Sequence, residues 1–256
     1  MNVGSLTSVT LLIFGFGLIV GSFLNVVILR YNTGKSLAGR SGCFMCGSKL
    51  SWYELVPVLS YLFQNGHCRS CKSEISVQYP VVELLTGIIF VLIAWQYISN
   101  IPMLIFSMVV WALLIVITVY DLRHKIIPDG LVYALTILAG LKALVVGDYY
   151  ALAAGVVGFL FFGGLWYFSG GRWMGFGDAK LALGLGFLLG PSLGVAALML
   201  SFWIGALYGL ILLSLSHSRA TLKSEVPFAP FLTLGAALSF FAHVDFFTIL
   251  HFLSFF

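Results

Sequence analysis

Residues 101–129 read IPMLIFSMVVWALLIVITVYDLRHKIIPD, an uncharged run that ends at Asp121 and passes at once into the cations Arg123 and Lys125. A helix needs roughly 20 mostly apolar residues to cross the hydrocarbon of a bilayer, and this run is long enough to do so. An acid at the end of such a run, in a chain with only 9 acidic residues, is unusual enough to ask for a task.

Working outward, the same alternation of apolar runs and short charged segments recurs along the chain. Hydrophobic residues make up 61% of it, charged residues 9%, and the mean hydropathy is +1.07. Too little polar surface remains to cover a soluble globule of 256 residues. The expected fold is an all-α polytopic membrane protein with eight spans, near residues 8–29, 80–98, 102–120, 130–147, 150–168, 179–190, 193–215 and 227–243. The sixth is short and runs into Gly190-Pro191, so a kink joining it to the seventh is an alternative there. The organisation expected is a first transmembrane helix at 1–29, a cytoplasmic cysteine loop at 30–79 and a membrane-embedded core at 80–256. The first 29 residues carry no Lys or Arg, so the opening stretch reads as a retained span and not a cleaved signal.

Basic residues give the orientation. Six lie in the 30–79 segment, Lys35 among them, and the pairs Arg123/Lys125, Arg172/Lys180 and Arg219/Lys223 follow; eight spans put all of these on one face. Short cytoplasmic loops are enriched in Lys and Arg, so that face is the expected inner one, with both termini outside. Lys142 is the exception, placed to extend its ammonium to the outer headgroups. The net charge of +4 is spread over separate loops, which gives no basic stripe for nucleic acid. Glycines four apart, at Gly17/Gly21, Gly186/Gly190/Gly194 and Gly205/Gly209, read as close helix packing in lipid.

The long polar segment holds all 4 cysteines, as Cys43-Phe-Met-Cys46 and Cys68-Arg-Ser-Cys71 with 21 residues between the pairs. Two such knuckles suit a tetrahedral four-thiolate zinc site, and the metal would supply the folding energy that a core of this size lacks. A pair of disulfides is the alternative if the loop faces an oxidising compartment. His67 reads as a solvated loop histidine. The apolar run SWYELVPVLSYLF at 51–63 is too short to span; it either packs on the metal fold or rests on the membrane surface.

Asp121 ends one span and Asp178, in GFGDAK, opens another from the same face, so both reach one depth from one side. Two carboxyls a few ångströms apart cannot both ionise cheaply, and one proton shared between them is the device of aspartic proteases. Taken singly, Asp178 also fits a helix N-cap and Asp121 a surface carboxylate paired with Arg123 or Lys125. Gly175 and Gly177 lack a Cβ and would let a peptide backbone approach. Asp129, after Pro128, reads as the entrance to the next helix. Glu83, inside the second span, either hydrogen-bonds a loop or positions substrate.

Taken in order, GSFLNVVILR (21–30), the cysteine loop with WYELVPVLSYL, YPVVELLTG (79–87), DLRHKIIPD (121–129), GFGDAK (175–180) and VPFAPFLTLGA (226–236) resemble the bacterial type IV prepilin peptidase family, also called leader peptidase/N-methyltransferase. The resemblance implies Asp121 and Asp178 as the proteolytic pair. It implies as substrate a pilin-like precursor, cut after a short basic leader ending in glycine at the cytoplasmic face of the inner membrane. It further implies methylation of the new amino terminus from S-adenosylmethionine, an activity linked to cysteine-containing members. One departure is Ala229 in VPFAP, where the family more often has glycine. No glycine-rich strand–helix fingerprint for a methyl donor is legible. Presenilin-like proteases share the GxGD element, but their Pro-Ala-Leu motif is missing here. A proton or cation transporter would place its acids near the bilayer midplane, and a non-catalytic metal-bearing scaffold would need no carboxylates.

Overall fold

The computed structural model describes residues 3–34, 36–215 and 226–254, which contain helices and no strand. Lys35, Arg219 and Lys223 lie outside the described residues. The chain divides into two compact units, Met1–Val116 and Ile117–Phe256.

In the first unit α1 (Val3–Arg30) leads into the cysteine segment, which carries a 3-10 turn at Trp52–Leu55 and the short α2 (Leu59–Phe63). Then come α3 (Gln78–Tyr97) and the start of α4 (Ile101–His124). Long apolar helices form because, in lipid, every backbone amide must be satisfied within its own segment. Helices α1 and α3 meet at glycine. A Cβ on Gly17 would lie 2.7 Å from the Gly87 Cα, and one on Gly21 would lie 2.7 Å from the Glu83 Cα. The seam is therefore closed to any larger residue, and dispersion between the backbones holds it. At its loop end the buried Asn25 donates to the Tyr79 carbonyl at 3.2 Å, which fixes where α3 begins beside α1.

The second unit holds the end of α4, α5 (Asp129–Val146), α6 (Tyr149–Ser169), α7 (Phe176–Leu215), α8 (Ala229–Phe241) and α9 (Phe246–Leu253). Gly186 of α7 lies against Gly155 of α6 with no room for a side chain, and Gly235 of α8 lies likewise against Ser201 of α7. Gly194 and Gly209, also expected at such contacts, face open space. Gly190 serves differently: its φ of 75° and ψ of −174° break α7 at a point where Pro191 supplies no amide hydrogen to lose.

Six helices among the described residues are long and apolar enough to cross a membrane, and the α8–α9 pair, bent by 89°, brings the number to seven. The expectation of eight spans differs in α7, which joins the sixth and seventh expected spans through the Gly190 break. The last expected span, 227–243, appears as the 13-residue α8, shorter than a crossing by itself.

Candidate active site and candidate metal centre

Asp121 lies one turn from the end of α4 and is 4% exposed. Its Oδ2 is buried without a hydrogen-bond partner, and the backbone amide of Ala229, first residue of α8, faces the carboxylate. A surface carboxylate solvated beside Lys125 would not be buried in this way. One turn back on α4, Thr118 donates to Thr233 of α8 at 2.8 Å, so the two helices run antiparallel and are pinned beside the carboxylate.

Asp178 is 6% exposed and occupies the third position of α7, not its N-cap. Its Oδ2 accepts from the Gly175 amide at 3.2 Å, which is the return half of a capping box. The structural role thus takes one oxygen. The other, Oδ1, is buried and has no partner. Asp121 and Asp178 lie within electrostatic reach of one another. Each has a backbone amide at a helix start and one free oxygen, and the amino ends of α7 and α8 favour negative charge there.

The two glycines do different things. A Cβ on Gly177 would stand 2.9 Å from the Ile127 Cβ, so this glycine packs α7 against the α4–α5 connection. Gly175 is exposed, and a Cβ there would come no closer than 3.5 Å to another residue, at Asp178 Oδ2, so this glycine is not packed. Asp129 opens α5, is 56% exposed on its side chain, and pairs with Lys180 at 2.7 Å. Lys180 in turn lies over the rings of Tyr133 and Phe176, 5.4 and 5.2 Å from their centroids. This pair ties the start of α5 to the start of α7 and stands beside the carboxylates without joining them. Glu83 lies in the first unit, where it accepts from the Val58 amide at 2.7 Å; of its two expected roles, it is the loop bond that forms.

Ala229, Thr118 and Thr233 escape sequence reasoning. The Ala-Pro step that opens α8 is the one signal pointing to them, because proline in a first turn marks a helix start and hence free amides.

The four cysteines form a second cluster, with all four sulfurs within 4.8 Å of one another. Cys43 and Cys71 Sγ are 3.8 Å apart. Four sulfurs held about 2.3 Å from one tetrahedral ion would be separated by about 3.8 Å, whereas a disulfide needs about 2.05 Å. All four cysteines are free thiols. The donor set therefore fits a zinc-type ion. Two equivalent turns build it. In the first, the Cys43 amide donates to the Ser48 carbonyl and the Cys43 carbonyl accepts from the Gly47 amide; in the second, Cys68 does the same with Ser73 and Lys72. The Cys46 and Met45 amides and the Ser73 hydroxyl bond the Cys43 sulfur and lower its pKa to about 6, which favours the thiolate that a metal binds. His67 Nδ1 lies 2.6 Å from the Asn65 carbonyl and is not part of the cluster.

Two family models match the chain: residues 15–97 match one described as the bacterial peptidase A24 N-terminal domain, and residues 108–210 one described as the type IV leader peptidase family. The prepilin leader peptidase/N-methyltransferase of Bacillus subtilis is 36% identical over 234 residues, covering 90% of this chain and 92% of that protein. Proteins of the same name from Aeromonas hydrophila and Pseudomonas aeruginosa are 32% and 31% identical, over 88% and 86% of this chain and 87% and 85% of their own. No solved structure matches.

Proposed function

The chain belongs to the type IV leader peptidase family, and from that premise we propose that it is a membrane aspartic endopeptidase acting on pilin-like precursors, with Asp121 and Asp178 as its catalytic pair. What carries this reading is that each carboxylate keeps one buried oxygen unpartnered, Oδ2 of Asp121 and Oδ1 of Asp178, within the segment matched to the leader peptidase model. Both groups face the same chemistry. The ionised member takes a proton from water as the water attacks the scissile carbonyl, while the protonated member hydrogen-bonds the carbonyl oxygen, where negative charge develops. The Gly175 amide holds Asp178 Oδ2 in place and the Ala229 amide faces the Asp121 carboxylate, so both carboxylates meet a fixed backbone dipole as the charge moves.

The active site opens to the cytoplasm in this reading, because Arg123 in the last turn of α4 and Lys125 and Arg172 in the connections stand close in sequence to Asp121 and Asp178. Gly190 divides the 40 residues of α7 into limbs of about 21 and 38 Å, and with the first taken as a short crossing, the second as a full one and the bent α8–α9 pair as one more, eight spans result within the bacterial inner membrane. Cys43, Cys46, Cys68 and Cys71 would hold a structural zinc, which supplies a fixed tetrahedral node for the loop. N-methylation, the second half of the relatives' names, carries over for the new amino terminus with S-adenosylmethionine as donor.

The test is the full chain in lipid with a synthetic precursor, a basic glycine-ending leader joined to an apolar helix, read by mass analysis. Release of the leader by the unaltered chain and its loss in Asp121→Asn and Asp178→Asn is the expected result. An uncut precursor, or cleavage that survives both substitutions, overturns the reading. A gain of one methyl group only when S-adenosylmethionine is present identifies the second activity.

A further inference from the structure

The segment Trp52–Phe63 leaves its apolar side chains uncovered. Trp52 is 80% exposed and Phe63 84%, with Leu55, Leu59 and Leu62 exposed between them. Of the two expectations for this run, packing on the metal fold would bury these groups, and they are not buried. A patch of this kind on a protein surface marks a contact with something apolar.

What covers it follows from where the segment is tied. Glu83 accepts from the Val58 amide at 2.7 Å, and Val58, a β-branched residue, is held at a φ of 60° and ψ of −51° that such residues seldom adopt. Glu83 belongs to α3, a candidate crossing helix, and stands five residues beyond its start at Gln78. At 1.5 Å per residue the bond lies about 7.5 Å along the helix from its entrance. The carboxylate itself points back toward that entrance, as side chains on helices do. The segment is therefore anchored at headgroup depth, since the polar layers add only about 5–7 Å on each side of the hydrocarbon. Arg69 donates to the Tyr53 hydroxyl at 2.7 Å and lies over its ring, which couples the second cysteine knuckle to the same segment. Exposed Lys49 and Lys72 beside the knuckles complement anionic headgroups.

We propose that Trp52–Phe63 is an interfacial anchor whose Trp52 and Phe63 insert at the headgroup–acyl boundary of an anionic membrane, so that the cysteine knuckles lie against the lipid surface. Tryptophan and phenylalanine at the two ends suit that boundary, where a large ring can be apolar on one side and wet on the other. This rests on the bilayer setting of α1 and α3 and is independent of the peptidase reading.

Trp52 emission is isolated as the difference between the full chain and Trp52→Phe, both in vesicles of phosphatidylcholine with phosphatidylglycerol. Lipids brominated near the headgroup end of the acyl chain should quench this difference signal at least about twofold more than lipids brominated at the chain end, and aqueous iodide should barely reach it. Quenching by iodide alone, quenching by none of the three, or strongest quenching from the chain end each overturns the proposal. As a second measurement, benzoylphenylalanine at position 63 should form lipid adducts on irradiation, and adducts to protein alone would overturn it as well.

Discussion

The four cysteines come together within residues 43–71 through two turns that make their own hydrogen bonds, whereas the two carboxylates come together only because the end of α4 and the starts of α7 and α8 converge. The cysteine turns close five residues from where they open and are specified almost wholly by neighbours in sequence. The carboxylate site is specified by helix packing, and its parts have no meaning apart from that packing. A loop built locally can fail without disturbing the helices, while a site built from helix ends fails with small shifts in any of three of them.

The largest effect should come from breaking the local half. Removing metal from the reduced chain is expected to forfeit ~10–16 kcal/mol of apparent folding free energy in the cysteine segment. Limited proteolysis should then cut between residues 43 and 71, while circular dichroism keeps its helical signal. Metal analysis of the reduced, unchelated protein tests the premise, and a metal-free result would end it. Next in size is the chemical half. Asp121→Asn or Asp178→Asn should lower leader cleavage by about 10²–10⁴-fold, the usual worth of a positioned acid or base. Metal content and thermal midpoint should hold, because the carboxamide oxygen that replaces the Asp178 carboxylate can still accept from the Gly175 amide. If metal were lost along with activity in these variants, the two regions would not be separable in the way their construction implies.

A smaller effect tests the packing that positions the pair. Gly177→Ala would set a Cβ 2.9 Å from the Ile127 Cβ, and crowding of this kind costs about 1–3 kcal/mol. Thermal unfolding should show that loss together with slower cleavage, since Asp178 is the next residue. Gly175→Ala meets nothing closer than 3.5 Å and should cost only the few tenths to about 1 kcal/mol of an N-cap change. Equal destabilisation by the two would refute the division of labour between these glycines.

The same contrast explains what could be read from the chain. Helices are legible because each is a long apolar run, and the cysteine cluster because CxxC spacing dictates its own turn. The joining of 179–190 to 193–215 was legible only as an alternative, since Gly190-Pro191 signals a break whether the helix stops or resumes. Gly177 looks like Gly175 in sequence, and only the neighbouring Ile127 distinguishes a packing glycine from an open one. The position of Asp178 at the third residue of its helix depended on the boundary, since α7 begins at Phe176 and not at the expected 179. The Ala229 amide was illegible because a backbone donor leaves no mark on residue identity.

The finest test compares the two cysteine turns with each other. Their hydrogen bonds are equivalent, and each places the residue after the second cysteine in the left-handed region, with φ of 70° at Gly47 and 60° at Lys72. Glycine takes that conformation freely, while a residue with a Cβ is strained there by about 1 kcal/mol. The second turn is thus the weaker by its backbone alone. Lys72→Gly should strengthen metal retention against a competing chelator by about fivefold, the equivalent of ~1 kcal/mol. Lys72→Asn removes the same charge but keeps a Cβ in a residue that tolerates the region, so it should gain less in the same direction. Equal gains from both would assign the effect to charge and not to backbone. No gain from either would mean that metal binding, and not the ease of the turn, fixes the conformation at residue 72.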